Sequence, residues 1–364
     1  MRLTVFSSPR APGEPRTSAP SPVDPTLTVV SSQNASIQLL GSCIPTVCKI
    51  KPRYSDGTRT YTCCGMTCAN KMKATVPKQN LVPRNHDGSC QVPNCTQPVL
   101  QTLNGPAKYC SQPHKVLAET ACLWCRLSPK KGDRHFCSTA CATEAQNNAA
   151  ILLEIPAGHV TYKDIVHQFQ RSWRHDTYCP SVKYIYKIVS SKELSDKYDA
   201  YKAKVESRGH FAVQTGLTAG NENRRWHGTL RKCNIGDKGE TQLCSSDSCS
   251  LCCIIRKSYQ IILSGKNTGW GRFGDGVYTS STSSKSNDYS KNEDSTSPLK
   301  GMLLNKVVVG LGYKLTENDS SLTKPRDGYD SVIGEVGGKL NYDELVVYNN
   351  DAIRPSYLVM YEAA

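Results

Sequence analysis

The sequence has 364 residues, 18 cysteines and a formal net charge of +14. This length exceeds that of most single domains and indicates two folding units. No apolar run approaches the roughly 18 residues of a membrane helix, and no secretory signal is recognisable, so we expect neither a membrane protein nor a disulfide-stapled secreted one. We expect an intracellular protein of the nucleus or cytoplasm.

Positive charge is concentrated toward the N-terminus. Residues 1–160 carry 17 Lys and Arg against 8 Asp and Glu, whereas residues 161–364 carry 28 against 23. An excess of this kind favours association with polyanions such as nucleic acid. We therefore expect the basic N-terminal region to bind polyanions.

Residues 1–38 are rich in Pro, Ser and Thr, which predicts a disordered tail because too little apolar surface is available to offset the ordering entropy. Residues 40–145 are rich in cysteine, and one pattern recurs there three times. Two cysteines lie a few residues apart, a polar loop follows, and a C-x3-C or C-x3-H pair beside an aromatic residue completes the repeat. The repeats offer three sets of four ligands: Cys43, Cys48, Cys64 and Cys68; Cys90, Cys95, Cys110 and His114; Cys122, Cys125, Cys137 and Cys141.

Two short-spaced ligand pairs can close a tetrahedral zinc site without a large core. The repeats therefore predict small zinc-stabilised modules, in each of which the second pair opens a short helix. For any one cysteine the alternative is a small buried apolar residue. Cys63 is an alternative to Cys64 as the third ligand of the first repeat.

The second folding unit is predicted to span residues 160–364. The segment ATEAQNNAAILLEI after Cys141 predicts a helix that leads into it. From about Trp173 onward, VKYIYKIV, KVVVGLGYKL and ELVVYNN are typical of strands, and SDKYDAYKAKVESRG is typical of a helix. The class that these elements predict is α+β.

Three segments of this unit carry chemistry: RRWHGTL at 224–230, GRFGDGVYTSSTSSKSNDYS at 271–290, and GYDSVIGEVGGKLNYDELVVYNNDAIRPSYLVMY at 328–361. In order and spacing they resemble the catalytic domain of the poly(ADP-ribose) polymerase family, over roughly residues 173–361. That family has a His-Gly-Ser/Thr triplet, then Gly-x-Tyr followed by Ser and a second Tyr, and then a Glu that begins a late strand. The resemblance implies an ADP-ribosyltransferase fold with a split antiparallel β-sheet and NAD+ as the substrate.

By this resemblance, Tyr278 and Tyr289 would sandwich the nicotinamide ring. Ser286 and the backbone of Gly228 would bond its carboxamide, and His227 would hold a hydroxyl of the adenosine ribose. The residues implied to bind NAD+ are His227, Gly228, Thr229, Tyr278, Ser286 and Tyr289, and the implied catalytic triad is His227, Tyr278 and Glu344.

Glu344 would stabilise the positive charge that develops during the reaction. Breaking the N-glycosidic bond builds positive charge on the nicotinamide ribose, as in glycoside hydrolysis, and a nearby carboxylate stabilises that charge. The implied reaction releases nicotinamide and transfers ADP-ribose to a macromolecule, either protein or nucleic acid. The family glutamate permits chain elongation but does not establish it, so mono- and poly-ADP-ribosylation both stay open.

A cysteine-rich insertion separates the first two motifs. Cys233, Cys244, Cys249 and Cys252 offer a fourth zinc set, and four protein ligands would make it structural because they leave the metal no open position. The alternative is that residues 251–255 form the buried side of a helix.

The same sequence features are compatible with two other functions. In one, the zinc modules bind a partner and the C-terminal domain is an inactive scaffold, although the intact His, Tyr and Glu set weighs against this. In the other, the domain mainly hydrolyses NAD+ to free ADP-ribose.

Overall fold

The structure is a computed structural model, and it describes residues 88–103, 105–265, 271–293 and 296–363. All of these lie in one unit, Val76–Ala364. The tail at residues 1–38 and the first predicted zinc set, Cys43, Cys48, Cys64 and Cys68 with its alternative Cys63, lie outside the described residues.

The described residues contain thirteen strands and six α-helices. The strands are β1 (Gln101–Thr102), β2 (Gly105–Pro106), β3 (Ile151–Glu154), β4 (Val182–Val189), β5 (Glu222–Gly228), β6 (Leu230–Arg231), β7 (Val277–Thr279), β8 (Lys291–Asn292), β9 (Leu299–Val308), β10 (Gly312–Leu315), β11 (Ser331–Gly334), β12 (Glu344–Val347) and β13 (Ile353–Glu362). The helices are α1 (Gln112–Thr120), α2 (Thr139–Asn147), α3 (Val160–Arg171), α4 (Lys192–Gly209), α5 (Ser250–Lys257) and α6 (Ser283–Asn287). Every helix in the described part of the chain is too short or too polar to span a lipid bilayer.

The two cysteine-rich repeats that the structure describes each end in a short helix, as predicted. Ser111 caps α1 by accepting a hydrogen bond from the His114 amide, and Ser138 caps α2 by accepting one from the Cys141 amide. A serine directly after the third ligand begins the helix because its hydroxyl satisfies an amide that would otherwise lack a partner. The fourth ligand of each repeat therefore lies on the first turn.

The larger sheet has five antiparallel strands in the order β3-β4-β13-β9-β5. Successive side chains of a strand point to opposite faces, and β13 contributes to a core on each side. Tyr357 and Val359 pack with α3 on one face, whereas Leu358 and Met360 pack with α5 on the other. The central strands are buried on both faces, which explains their nearly continuous apolar sequence.

The smaller sheet has four strands in the order β10-β11-β12-β7. Its β10–β11 pair is parallel and the other pairs are antiparallel, so the split sheet is not antiparallel throughout. Trp226 of β5 and Ser280, which follows β7, exchange both backbone hydrogen bonds and link the two sheets. The α+β class predicted from the sequence is confirmed.

Two element predictions are wrong. The helix expected over residues 142–155 ends at Asn147, and Ile151–Glu154 is the edge strand β3, whose Leu152 and Leu153 fill the cores on opposite faces. The run at 306–315 is two strands rather than one. Gly310 lies between them with a φ of 55°, a left-handed conformation that glycine adopts without steric cost and that ends β9.

Candidate functional site

The predicted site residues lie where the two sheets meet. Alternation along β5 sends Trp226 to the face covered by α3, where its ring packs edge-on against Phe169. His227, the next residue, points to the opposite face, where its ring meets Tyr259 edge-on at 5.1 Å between centroids. The backbone link between Trp226 and Ser280 thus brings His227 beside β7.

His227 is held in one orientation and one tautomer. Its Nδ1 lies 2.8 Å from the carbonyl oxygen of Tyr278, so Nδ1 must carry the proton and donate. Burial lowers the pKa of His227 below its ordinary value, so the ring is neutral near pH 7. A neutral ring that donates through Nδ1 leaves Nε2 as a hydrogen-bond acceptor, which suits a ligand hydroxyl.

Gly228 and Ser286 are packed against each other. A Cβ atom at Gly228 would lie 1.9 Å from the carbonyl oxygen of Ser286, so only glycine fits at this position. Ser286 is buried on α6, and its carbonyl accepts hydrogen bonds from the Ser290 hydroxyl and the Tyr289 amide. Thr229 is also buried, and its carbonyl accepts from the Lys291 amide. These residues form one tightly packed wall.

Tyr278 is fixed at both ends of its side chain. On β7 it pairs with Val346 of β12, and its hydroxyl donates to the Gly274 carbonyl at 2.7 Å and accepts from the Phe273 amide at 2.9 Å. The loop that precedes β7 is therefore closed over the hydroxyl. Because both of its hydrogen bonds are internal, the ring rather than the hydroxyl is the part of Tyr278 left to meet a ligand. Tyr289 is more open, with 43% of its surface exposed.

Glu344 begins β12, and its two oxygens differ. Oε1 accepts from the Lys285 ammonium at 2.7 Å, whereas Oε2 is buried and has no hydrogen-bond partner. Burial raises the pKa of both Tyr278 and Tyr289, and the negative charge of Glu344 raises both further. The Glu344 carboxylate is therefore close enough to both tyrosine side chains to act on them electrostatically. An unpaired buried carboxylate oxygen is costly, which marks Oε2 as the place for a ligand donor.

Sequence reasoning missed Lys285, the partner of Glu344. Its ammonium also donates to the carbonyls of Tyr342 and Asp343, at 3.2 and 3.1 Å, so it binds the backbone that precedes Glu344 as well as its side chain. The only signal in the sequence was its place beside Ser286, within the second motif. A lysine there is otherwise indistinguishable from a solvated surface residue.

Sequence reasoning also missed Asp343. Its carboxylate accepts from the Ser281 amide and from the hydroxyls of Ser280 and Ser281 at 2.8–2.9 Å. One carboxylate therefore fixes the segment between β7 and α6 to the start of β12. Asp343 aligns Tyr278, which lies just before that segment, with Glu344, which comes directly after Asp343.

Three groups of cysteine and histidine in the described part of the chain could hold metal, since the ligand atoms of each lie within 4.8 Å of one another. They are the second, third and fourth predicted sets: Cys90, Cys95, Cys110 and His114; Cys122, Cys125, Cys137 and Cys141; Cys233, Cys244, Cys249 and Cys252. Neighbouring sulfurs lie 3.6–3.8 Å apart. A zinc tetrahedron with Zn–S bonds of about 2.3 Å has edges of about 3.8 Å, whereas a disulfide is about 2.0 Å long. The donor geometry fits zinc.

The third group shares a core with the larger sheet. Leu123 belongs to the same buried apolar core as Phe169 and Tyr357, and the Tyr357 hydroxyl lies 2.8 Å from Nε2 of His135. A second contact involves the buried His159, whose Nε2 lies 3.0 Å from the Ala121 carbonyl oxygen. Because a carbonyl oxygen only accepts hydrogen bonds, Nε2 must donate to it. A metal in this group would therefore stabilise part of the core beneath the sheet.

The fourth group combines the two arrangements expected from the sequence, a cluster of four cysteines and the buried side of a helix. Cys249 precedes α5 and Cys252 lies within it, while Leu251, Cys252 and Ile255 form the buried side of the helix. Cys253 lies outside the group and contacts the carbonyls of residues 246 and 247. The helix ends just before Tyr259, the residue whose ring contacts His227. The fourth group is thus one helix away from the site.

Two comparisons with known proteins bear on this arrangement. The family model of the poly(ADP-ribose) polymerase catalytic domain matches residues 160–338. The matched range includes His227, Tyr278, Ser286 and Tyr289, and it ends shortly before Glu344. The comparison with curated proteins found no relative of the chain. The C-terminal part of the chain therefore belongs to the poly(ADP-ribose) polymerase catalytic-domain family, whose members use NAD+ as substrate.

Proposed function

We propose that this chain is an active NAD+-dependent ADP-ribosyltransferase that releases nicotinamide and transfers ADP-ribose to a macromolecular acceptor, either protein or nucleic acid. The single observation that carries the proposal is Glu344. An inactive scaffold has no reason to keep a buried carboxylate with one oxygen paired to Lys285 and the other without a partner. A donor ribose hydroxyl would satisfy that oxygen.

The site supports the following division of roles. Tyr278 and Tyr289 present ring faces to the nicotinamide, and Ser286 with the backbone of Gly228 bonds its carboxamide. Nε2 of His227 accepts a hydrogen bond from a hydroxyl of the adenosine ribose, and buried Thr229 completes the wall. Each of these groups binds or orients NAD+.

Glu344 acts on the bond that breaks. Its free Oε2 accepts a hydrogen bond from the 2′-hydroxyl of the nicotinamide ribose. As the C–N glycosidic bond breaks, its electron pair leaves with nicotinamide and positive charge develops on the ribose. The fixed carboxylate stabilises this charge more than it stabilises the ground state, which is the condition for lowering the barrier. The acceptor nucleophile then forms the new bond to the ribose carbon and loses its proton.

We also propose that zinc occupies the three cysteine groups of the described residues and plays a structural role. Four protein ligands in each group leave a tetrahedral ion no open position for catalysis. The N-terminal modules would then select the target or the location, in the nucleus or cytoplasm, through their basic charge.

The proposal is tested by incubating the full-length protein with NAD+ labelled in its adenylate part and following the label. We expect the label to become macromolecular. Label that appears mainly as free ADP-ribose would support NAD+ hydrolysis instead, and unchanged NAD+ would support an inactive scaffold. Each outcome points to a different function.

Glu344→Gln provides the matched test of the site. The amide keeps size and hydrogen bonding but removes the charge, so we expect NAD+ binding to persist while transfer falls by about 10²–10³. Glu335→Gln is the control, because Glu335 pairs with Lys314 and is 40% exposed. Undiminished transfer by Glu344→Gln would refute its assigned role.

A further inference from the structure

A stripe of cations crosses the larger sheet on the face opposite His227. Arg224 is two residues before Trp226 on β5 and therefore points to the same face as Trp226, away from His227. Arg224 lies directly opposite Lys306 of β9, and Lys306 lies directly opposite Arg354 of β13. Three cations thus occupy matching positions on three adjacent strands.

A fourth cation, Lys187, extends the stripe to a fourth strand. It lies on β4 opposite Tyr357 of β13, and its ammonium is 5.1 Å from the centre of that ring. The Arg224 guanidinium lies 6.0 Å from the same ring. The basic stripe is therefore Lys187, Arg224, Lys306 and Arg354, of which Lys187 and Arg224 lie over the ring of Tyr357.

The stripe carries more positive charge than its neighbours neutralise. Asp164 pairs with Arg224, and Glu222 is shared between Lys306 and Lys202. Two carboxylates therefore form ion pairs with three cations, which are Arg224 and Lys306 of the stripe and the neighbouring Lys202. The Lys187 ammonium donates to the backbone carbonyls of Ile188 and Ser356, and the Arg354 guanidinium lies 5.0 Å from the centre of the Tyr198 ring. Burial and the neighbouring cations lower the pKa of Lys187.

This arrangement of charges lowers the stability of the protein when no anion is bound. Like charges directly opposite on adjacent strands are destabilising, and a buried ammonium without a carboxylate carries a desolvation cost. An anion laid along the stripe would relieve both. The side chains of Arg224 and Lys306 are 42% and 41% exposed, so these two cations of the stripe are open to such a ligand.

We propose that the basic stripe is a binding surface for the phosphodiester backbone of a nucleic-acid duplex, separate from the NAD+ site. Neighbouring strands lie about 4.8 Å apart, so Arg224 and Arg354, two strands apart, span about 10 Å. One strand of a duplex carries about three phosphates over that length of helix axis. Cations spread over this length can each contact a different phosphate of that strand.

The surroundings favour a duplex over a single strand. Proteins hold single strands by stacking bases on exposed aromatic rings, but both tyrosines of this region are buried, Tyr357 at 3% exposure and Tyr198 at 2%. The third cysteine group borders the stripe through the contact between His135 and Tyr357. Its loop carries Lys130, Lys131 and Arg134 against Asp133, which extends the positive surface.

The test measures binding of the full-length, zinc-loaded protein to a fluorescent DNA duplex of about 20 base pairs as a function of salt. Each phosphate contact adds about −0.9 to the slope of log K against log salt. Replacing Arg224 and Arg354 together by Gln should reduce the slope by about 1.8. Between about 50 and 200 mM salt, the wild type should then lose about tenfold more affinity than the variant.

Lys314→Gln is the matched control, since Lys314 is also a strand lysine paired with a glutamate but lies on the smaller sheet. Its slope should equal that of the wild type. Because the double variant removes opposed charges, its Tm without DNA should not fall. If it does fall, Lys306→Gln, whose side chain is partly exposed, should still reduce the slope by about 0.9.

An unchanged slope in both stripe variants would overturn the proposal. Tighter binding of the matching single strand than of the duplex, or binding of ADP-ribose polymer but not of DNA, would overturn the assigned class of ligand. NAD+ turnover without DNA should persist in every stripe variant. A failure of the stripe is therefore distinguishable from a failure of the proposed reaction.

Discussion

Replacing Lys285 by Met isolates the ion pair that holds Glu344. The Lys285 ammonium bonds Oε1 of Glu344 at 2.7 Å, and the side chains are only 14% and 8% exposed. The methionine fills similar volume but cannot neutralise the carboxylate. Because Oε2 already has no partner, the variant leaves a buried carboxylate without any charged partner.

The expected cost follows from burial. Removing one partner of a buried ion pair costs about 3–5 kcal/mol, whereas removing one partner of an exposed pair costs about 0–1 kcal/mol. For a domain of this size, about 2 °C of Tm corresponds to 1 kcal/mol, so we expect a loss of about 6–10 °C. Adding Glu344→Gln to the same chain should recover most of the loss, because the uncompensated charge is then gone.

The assay is denaturant or thermal unfolding of the two single variants and the double variant, with Lys197→Met as the control. Lys197 pairs with Glu193 one helical turn away, and both side chains are more than half exposed. A loss for Lys285→Met no larger than that of the control, or no recovery in the double variant, would refute the account of Glu344 as a buried, lysine-held carboxylate.

Replacing Cys249 and Cys252 together by Ser should remove one zinc ion, lower Tm and raise KM for NAD+ more than it lowers kcat, as metal analysis and kinetics of the folded variant will show. The folded-state pKa of His227 lies below the ordinary value of about 6.5, so the stability it contributes is complete above that pH and declines as pH falls. His227→Gln should flatten that part of the stability profile. Gly228→Ala should weaken NAD+ binding at least tenfold, measured by calorimetry, because its Cβ would displace the Ser286 carbonyl.

The sequence motifs point to candidate site residues but not to the residues that hold them in place. His227, Tyr278 and Glu344 were identified as candidates because three motifs occur in order, and each occupies a strand at the junction of the two sheets. Lys285 and Asp343 were not, because their roles depend on distances between segments that are far apart in the chain. No local pattern distinguishes them from solvated charges.

The errors in the fold have a similar origin. The four-residue run at Ile151–Glu154 is too short for periodicity to separate a helix from a strand, and only its pairing with β4 decides. The parallel pairing of β10 with β11 likewise depends on the long connection between them. The cysteine groups were predictable because ligand spacing is a local property, although the sequence could not show that Leu123 of the third group joins the core of the sheet.

The most direct test of the central claim is a crystal structure of the protein with a non-hydrolysable NAD+ analogue. We predict that Oε2 of Glu344 lies within about 2.6–3.2 Å of the 2′-hydroxyl of the nicotinamide ribose, with the nicotinamide between Tyr278 and Tyr289. An analogue bound elsewhere, or bound with Oε2 still without a partner, would contradict the account.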